Sequence, residues 1–204
     1  LDGIFAPQPQ ERFAPQLMVD GQLPAELEGA LMRIGPNPIT VKNPRNYHWF
    51  TGDGMIHALK LKAGEAHCYK SAYVGSASVQ KKLHRPQISG KTRGIADAVN
   101  TKISHFAGKI WAPVEAGAYP IEVNRELESK RHQLFENDQD LPFTAHPHID
   151  PETGDIHAVC YDALNHHQVF YLHIDAQGKL QHHVEIPVKH GPMVHDCAIT
   201  QSQV

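Results

Sequence analysis

The sequence predicts an all-β chain, and three observations carry that reading. Apolar and polar residues alternate in strand-sized runs. Turns, most of them containing glycine, separate the runs. Long 3.6-residue periodicity is nearly absent, since Ala96–Val99 is too short to count as a helix.

The elements follow in order. Residues 1–30 are rich in Pro, Gln and Glu and read as an extended arm, with room for one helical turn at Leu23–Gly29. Arg33–Pro38 is turn chemistry, because Gly and Pro restrict the backbone there. Met55–Leu61 alternates, Lys62–Glu65 turns, and Ala66–Val74 alternates again. Gly75–Gly94 is polar and basic (Lys81, Lys82, Arg85, Lys91, Arg93) and reads as a long loop, functional or disordered. Lys102–Phe106 and Ile110–Glu115 flank a turn at Ala107–Lys109. Asp155–Tyr161 and Gln168–Ile174 make a third pair, and Asp175–Lys179 turns into Leu180–Val188. Asp196–Val204 keeps a strand-like pattern to the last residue, as expected of a chain cut inside a strand pair. A barrel, a sandwich and a propeller all fit strands at this spacing, and no repeat of fixed period is visible.

Composition narrows the function. The 204 residues are 41% hydrophobic, enough for a packed core. Lys+Arg 19 against Asp+Glu 22 gives a net charge of -3, with no basic excess to suggest a nucleic-acid partner. No apolar run approaches the roughly 18 residues of a membrane span, and the first residues do not resemble a signal peptide. Cys68, Cys160 and Cys197 make neither a disulfide framework nor a CxxC site, so a reducing, cytoplasmic compartment is expected. Histidine is the outlier, with 16 copies. Imidazole is the commonest metal ligand and the usual proton shuttle near neutral pH.

Two histidines stand out by context. His146 precedes Pro147, which pushes it toward extended backbone. His195 lies in Met193–Thr200, where Met193, His195, Cys197 and Ile199 would share one face of a strand. Each reads either as a metal ligand or as a core histidine, and no short zinc motif joins them. His148 shares the His146 segment and has at most an outer role. His166–His167 and His182–His183 are neighbours that would point to opposite strand faces, so neither pair chelates. His57, beside Gly52-Asp53-Gly54, reads as a buried structural hydrogen bond. Glu115 ends an apolar strand, as a buried carboxylate beside a metal or a solvated strand end. Neither a G-x-S-x-G elbow nor a phosphate-binding loop is present.

Together these segments resemble the carotenoid cleavage oxygenase family. The stretches that carry the resemblance are Glu28–Pro38, Trp49–Ala58, Asn100-Thr101, Phe143–Pro147 with Asp150–Gly154, and Pro192–Asp196 with Ala198–Thr200. They stand in the family's order from about residue 15 to the end. The resemblance implies the N-terminal part of a seven-bladed β-propeller, with residues 1–204 as a partial domain that continues beyond Val204. It implies a non-haem Fe(2+) held by four histidines, with His146 and His195 as the first two and Glu115 as a carboxylate hydrogen-bonded to a ligand histidine. The implied reaction is cleavage of a C=C bond of a carotenoid or apocarotenoid by O2 to carbonyl products. The isolated fragment, lacking two ligands, is expected to be inactive. Thr51 and Cys197 depart from the family's usual Asp and Phe, which points to packing changes. Stilbene-cleaving members carry a lysine where Val114 stands, which argues against a phenolic stilbene. The competing readings are a stilbene-cleaving dioxygenase, a non-catalytic β-rich binding module and a zinc hydrolase. Peripheral membrane contact stays open.

Overall fold

In the computed structural model, which describes residues 1–94, 97–132, 139–191 and 193–204, an Ala-Gly pair twice reverses the chain. Ala63 and Gly64 have φ of 50° and 79°, and Ala107 and Gly108 have 49° and 68°. Two successive residues at positive φ make the hairpin turn whose twist matches the flanking strands. The first turn folds β3 (Gly54–Lys62) onto β4 (Glu65–Tyr73), and the second folds β5 (Ser104–Phe106) onto β6 (Lys109–Ala112).

Three four-stranded sheets result among the described residues. The first joins β1 (Arg12–Ala14), β2 (Gly29–Pro36), β3 and β4 in the order β1-β4-β3-β2. The second joins β5 and β6 with β7 (Ile121–Val123) and β8 (Ser129–His132), in chain order. The third joins β9 (His148–Ile149), β10 (Ile156–Asp162), β11 (Asn165–Ile174) and β12 (Leu180–Pro187), again sequentially. Every pairing between these strands is antiparallel. The three expected hairpins are therefore present, with β7, β8 and β9 added.

The sheets stack face to face, as propeller blades do. Ile56 and Ala58 of β3 share one apolar cluster with Ala112, Ile121 and Val123 of the second sheet. Phe106 and Trp111, on that sheet's other face, share another with Ile156, Ala158, Leu172 and Ile174 of the third. Adjacent residues of β6 thus serve different neighbours, because strand side chains alternate between faces. The strands next to the edges formed by β2, β5 and β9 carry an Ile-x-Ala register mark: Ile56-His57-Ala58, Ile110-Trp111-Ala112, Ile156-His157-Ala158. Both histidines of that mark bond a tyrosine on the next strand, His57 to the Tyr69 hydroxyl at 2.7 Å and His157 to that of Tyr171 at 2.8 Å. His57 is thus the structural hydrogen-bonding histidine its sequence suggested.

Three expectations change. Arg33–Pro36 is the end of β2, paired with β3 through Gly35↔Met55 and Pro36↔Gly54, instead of a turn. The basic stretch after Gly75 contains a short helix, α1 (Ala77–Lys82), capped by the Ser76 hydroxyl. Its charges are tethers: Lys82 pairs with buried Asp53, Arg85 with Glu11, and Arg93 with Asp140 and Asp162. Residues 193–204 form no strand, because no neighbouring strand offers them a ladder. Of the short helical stretch Ala96–Val99, Ala96 lies outside the described residues. The arm holds a hydrogen-bonded turn, Leu27 N–H on the Pro24 carbonyl, in place of the helical turn expected at Leu23–Gly29, and it also supplies β1. Among the described residues no helix is long and apolar enough to cross a membrane.

Candidate metal centre

Glu115 follows the end of β6, where the apolar run Trp111-Ala112-Pro113-Val114 is buried. The chain then reverses through Ala116 and Gly117 at φ of 68° and 93°. That reversal leaves Glu115 at the strand end, facing inward, with its side chain 15% exposed. His146 sits just before β9, its backbone N–H donating to the Thr144 hydroxyl and its ψ restricted by Pro147. His195 comes from the irregular segment after β12 and is more open, at 71% exposure.

The three side chains converge. The imidazole centroids of His146 and His195 are 4.6 Å apart. Glu115 Oε1 lies 3.6 Å from His146 Nε2 and 3.8 Å from His195 Nδ1. One donor atom from each of the three falls within 4.8 Å of the others. His166, His167, His182 and His183 stand outside this group, and His148 instead bonds Asp196 at 2.8 Å.

Both carboxylate oxygens of Glu115 and Nε2 of His146 are buried without a hydrogen bond of normal geometry. Burial pushes the Glu115 carboxyl above its usual range, opposed by the nearby His195 ring and the Ala145 backbone N–H. Burial also pulls the His146 imidazole below its usual value, helped by the charges of Lys102 and His195. Neutral imidazole and a desolvated carboxylate are both hungry for a cation. Orphaned polar atoms in this number call for a missing partner, and the nitrogen and oxygen set fits a divalent transition metal.

Glu115 and His195 also line a cavity of about 750 Å³ whose other walls include Trp49, Phe50, Val114, Tyr161 and Met193. Thr51 is exposed and lines it too, so this departure stands at the cavity and not in the packing as expected. His146 borders a second, more polar cavity of about 360 Å³ with Lys102, His105, His148 and Asp196. A larger, open groove of about 930 Å³ beside β2 contains none of the three converging residues. Sequence reasoning missed Asp196, Phe50 and Trp49 as site-lining groups. Their positions inside the motifs that carry His195 and Gly52-Asp53-Gly54 were the available signal. Pro192, which opens the His195 motif, lies outside the described residues.

Comparison with known proteins bears on the fold and the family. The family model described as retinal pigment epithelial membrane protein matches residues 5–204. A carotenoid cleavage oxygenase of Mycobacterium tuberculosis is 37% identical over 100% of this chain and 41% of its own length. A carotenoid 9,10(9',10')-cleavage dioxygenase of Crocus sativus is 32% identical over 99% of this chain and 42% of its own. The crystal structure of Pseudomonas brassicacearum lignostilbene dioxygenase superposes with a TM-score of 0.78 at 25% identity, covering 96% of this chain and 43% of that one. That of cobalt-substituted Synechocystis ACO, at 24% identity over 96% of this chain and 46% of its own, shares the fold with the same TM-score of 0.78. The chain thus spans less than half the length of these relatives, and its fold is part of their β-propeller.

Proposed function

The chain belongs to the carotenoid oxygenase family, and on that premise we propose that the protein carrying it is a non-haem iron(II) dioxygenase that cleaves a C=C bond of a carotenoid or apocarotenoid. The observation that carries the reading is the convergence of His146, His195 and Glu115, with buried donor atoms left unpaired, at an apolar cavity.

His146 and His195 would hold the ion. His195 turns Nδ1 toward Glu115, which leaves its Nε2 for the metal. Glu115 would fix the tautomer and orientation of the His195 ring, the usual work of a carboxylate behind a ligand histidine. When bound, iron supplies a centre at which O2 is activated for addition to a conjugated C=C bond. The remaining work belongs to the chain. Trp49, Phe50, Val114 and Met193 offer a long apolar substrate a wall that excludes water and sets which bond lies near the two imidazoles. His146, held neutral by burial, keeps its lone pair for the ion at neutral pH. No general base is needed for such a cleavage.

The likeness to lignostilbene dioxygenase supports a second reading, a phenolic stilbene as substrate. Val114 weighs against it, since an apolar group offers a phenol no hydrogen bond.

The test is iron content and product analysis of the whole protein. Stoichiometric iron and carbonyl products from an apocarotenoid are expected, with both lost in His146→Ala and His195→Ala. Full iron and undiminished cleavage in either variant would overturn the assignment.

A further inference from the structure

His195 poses a positioning problem. Its segment has neither helix nor strand, so no backbone ladder fixes where the ring goes. His146 is better held, because β9 two residues later pairs with β10 through His148↔His157 and Ile149↔Ile156. One side-chain bond links the two segments. His148 Nε2 and Asp196 Oδ1 are 2.8 Å apart, across 48 residues of sequence. His148 is two residues past His146, and Asp196 is the immediate neighbour of His195. The same Asp196 oxygen accepts the Cys197 backbone N–H at 2.8 Å, which fixes the carboxylate relative to its own main chain.

We propose that His148 and Asp196 form a clasp that draws His195 onto His146, a positioning pair whose role rests on the metal reading above. Neither residue belongs to the converging group of Glu115, His146 and His195. The clasp acts by tethering the irregular segment, so it governs how closely two rings approach and not whether the chain folds. Asp196 is 57% exposed, and an ion pair open to solvent adds little to folding stability. Displacing a ligand ring by an ångström, in contrast, weakens a metal site strongly. The two effects are therefore separable by measurement.

The experiment uses the whole protein, stripped of metal and titrated with Co2+. His148→Ala and Asp196→Ala are each expected to weaken Co2+ binding about 10- to 100-fold, as partners behind metal ligands do. The double variant should be no weaker than either single one, because both remove the same bond. Asp196→Asn, whose amide oxygen still accepts from His148, should recover most of the affinity. The thermal midpoint of the metal-free protein should stay unchanged. Wild-type affinity in Asp196→Ala, additive losses, or metal-free variants that unfold early would overturn the clasp. His148, Asp196 and Cys197 are themselves close enough to hold an ion. A thiolate-to-cobalt absorption band that disappears in Cys197→Ser would put the ion there and also overturn it. Should wild-type protein bind no Co2+, or should His146→Ala bind as wild type does, the metal reading falls and the clasp with it. Binding lost in His146→Ala but intact in Asp196→Ala defeats the clasp alone.

Discussion

Oε1 of Glu115 lies 3.6 Å from Nε2 of His146, and both atoms are buried without a hydrogen bond of normal geometry. Two polar groups held close yet unbonded weaken a metal-free fold. The cost is tolerable where a bound cation would answer both.

The first prediction follows from burial raising the Glu115 pKa in the folded chain. A raised folded value means that the group's contribution is fully favourable below its unfolded pKa and is lost as pH rises through the folded value. At neutral pH the ionised carboxylate therefore destabilises the metal-free protein. Glu115→Gln should stabilise that form at pH 7 by about 1 kcal/mol, the lower end for an unsatisfied buried polar group. The gain should shrink toward pH 4, while metal affinity falls about 10- to 100-fold. Urea unfolding at the two pH values checks the stability, and a less stable Gln variant at pH 7 would count against the account.

A second prediction concerns the arm. Both Glu11 oxygens accept from Arg85, and Oε1 also accepts the Tyr73 backbone N–H. The Arg85 hydrogen bonds hold the Glu11 carboxyl below its usual range. A depressed folded pKa gives stability that is present above the unfolded value and lost as pH falls through the folded one. Arm docking should therefore weaken as pH drops below about 4.5. Both side chains are partly exposed, so Arg85→Ala should cost no more than about 1 kcal/mol. Limited proteolysis between Glu11 and Gly29 at pH 7 should run severalfold faster in that variant; an unchanged rate would show the arm is held by β1 alone.

Gly54 supplies a third. A Cβ there would overlap the Val99 carbonyl and crowd Asn100. The Asn100 amide donates to the Gly52 carbonyl at 2.7 Å and the Phe50 carbonyl at 3.1 Å, tying the cavity wall to the next loop. Gly54→Ala should cost about 1–3 kcal/mol, the range for overpacking a tight site. Equal urea midpoints for the two proteins would contradict the close approach.

The fourth tests the cavity. Val114 is 9% exposed and lines the apolar wall beside Glu115. Val114→Lys would place an ammonium there, which burial disfavours unless it is paired. Cleavage of an apocarotenoid by the whole protein should fall at least about 10-fold, the effect of some 1.4 kcal/mol, with KM rising more than kcat falls. Unchanged kinetics would take this wall out of the substrate's path.

Much of the fold was legible in local chemistry. Alternation at Met55–Leu61 and Gln168–Ile174 and the turns between runs located the hairpins, because period-2 patterning reports a half-buried face directly. The Ile-x-Ala mark escaped notice. Its central residue changes from His to Trp, and Ile56, Ile110 and Ile156 are unevenly spaced, so no fixed period betrays it. Pattern also misled at Met193–Thr200, where alternation exists but no ladder partner does. In the site, His146, His195, Glu115 and their meeting at one ion were nameable through resemblance alone, since no local pattern in the sequence reports a convergence that depends on how sheets stack. Asp196 was invisible for the same reason: a carboxylate beside a histidine gives no hint of a bond across 48 residues.

The pairing of β1 with the outer edge of β4 has a consequence for how the molecule behaves in company. An unpaired strand edge is a template on which another chain can grow. Arg12–Ala14, anchored by the residues just before it through Glu11 on the Tyr73 backbone and Gln8 on Asn37, occupies part of that template with a segment of the same chain. The arm is in this sense a stopper against self-association. A protein trimmed to begin at Gln16 would keep its hairpins and its histidines, yet would meet other copies with an open seam.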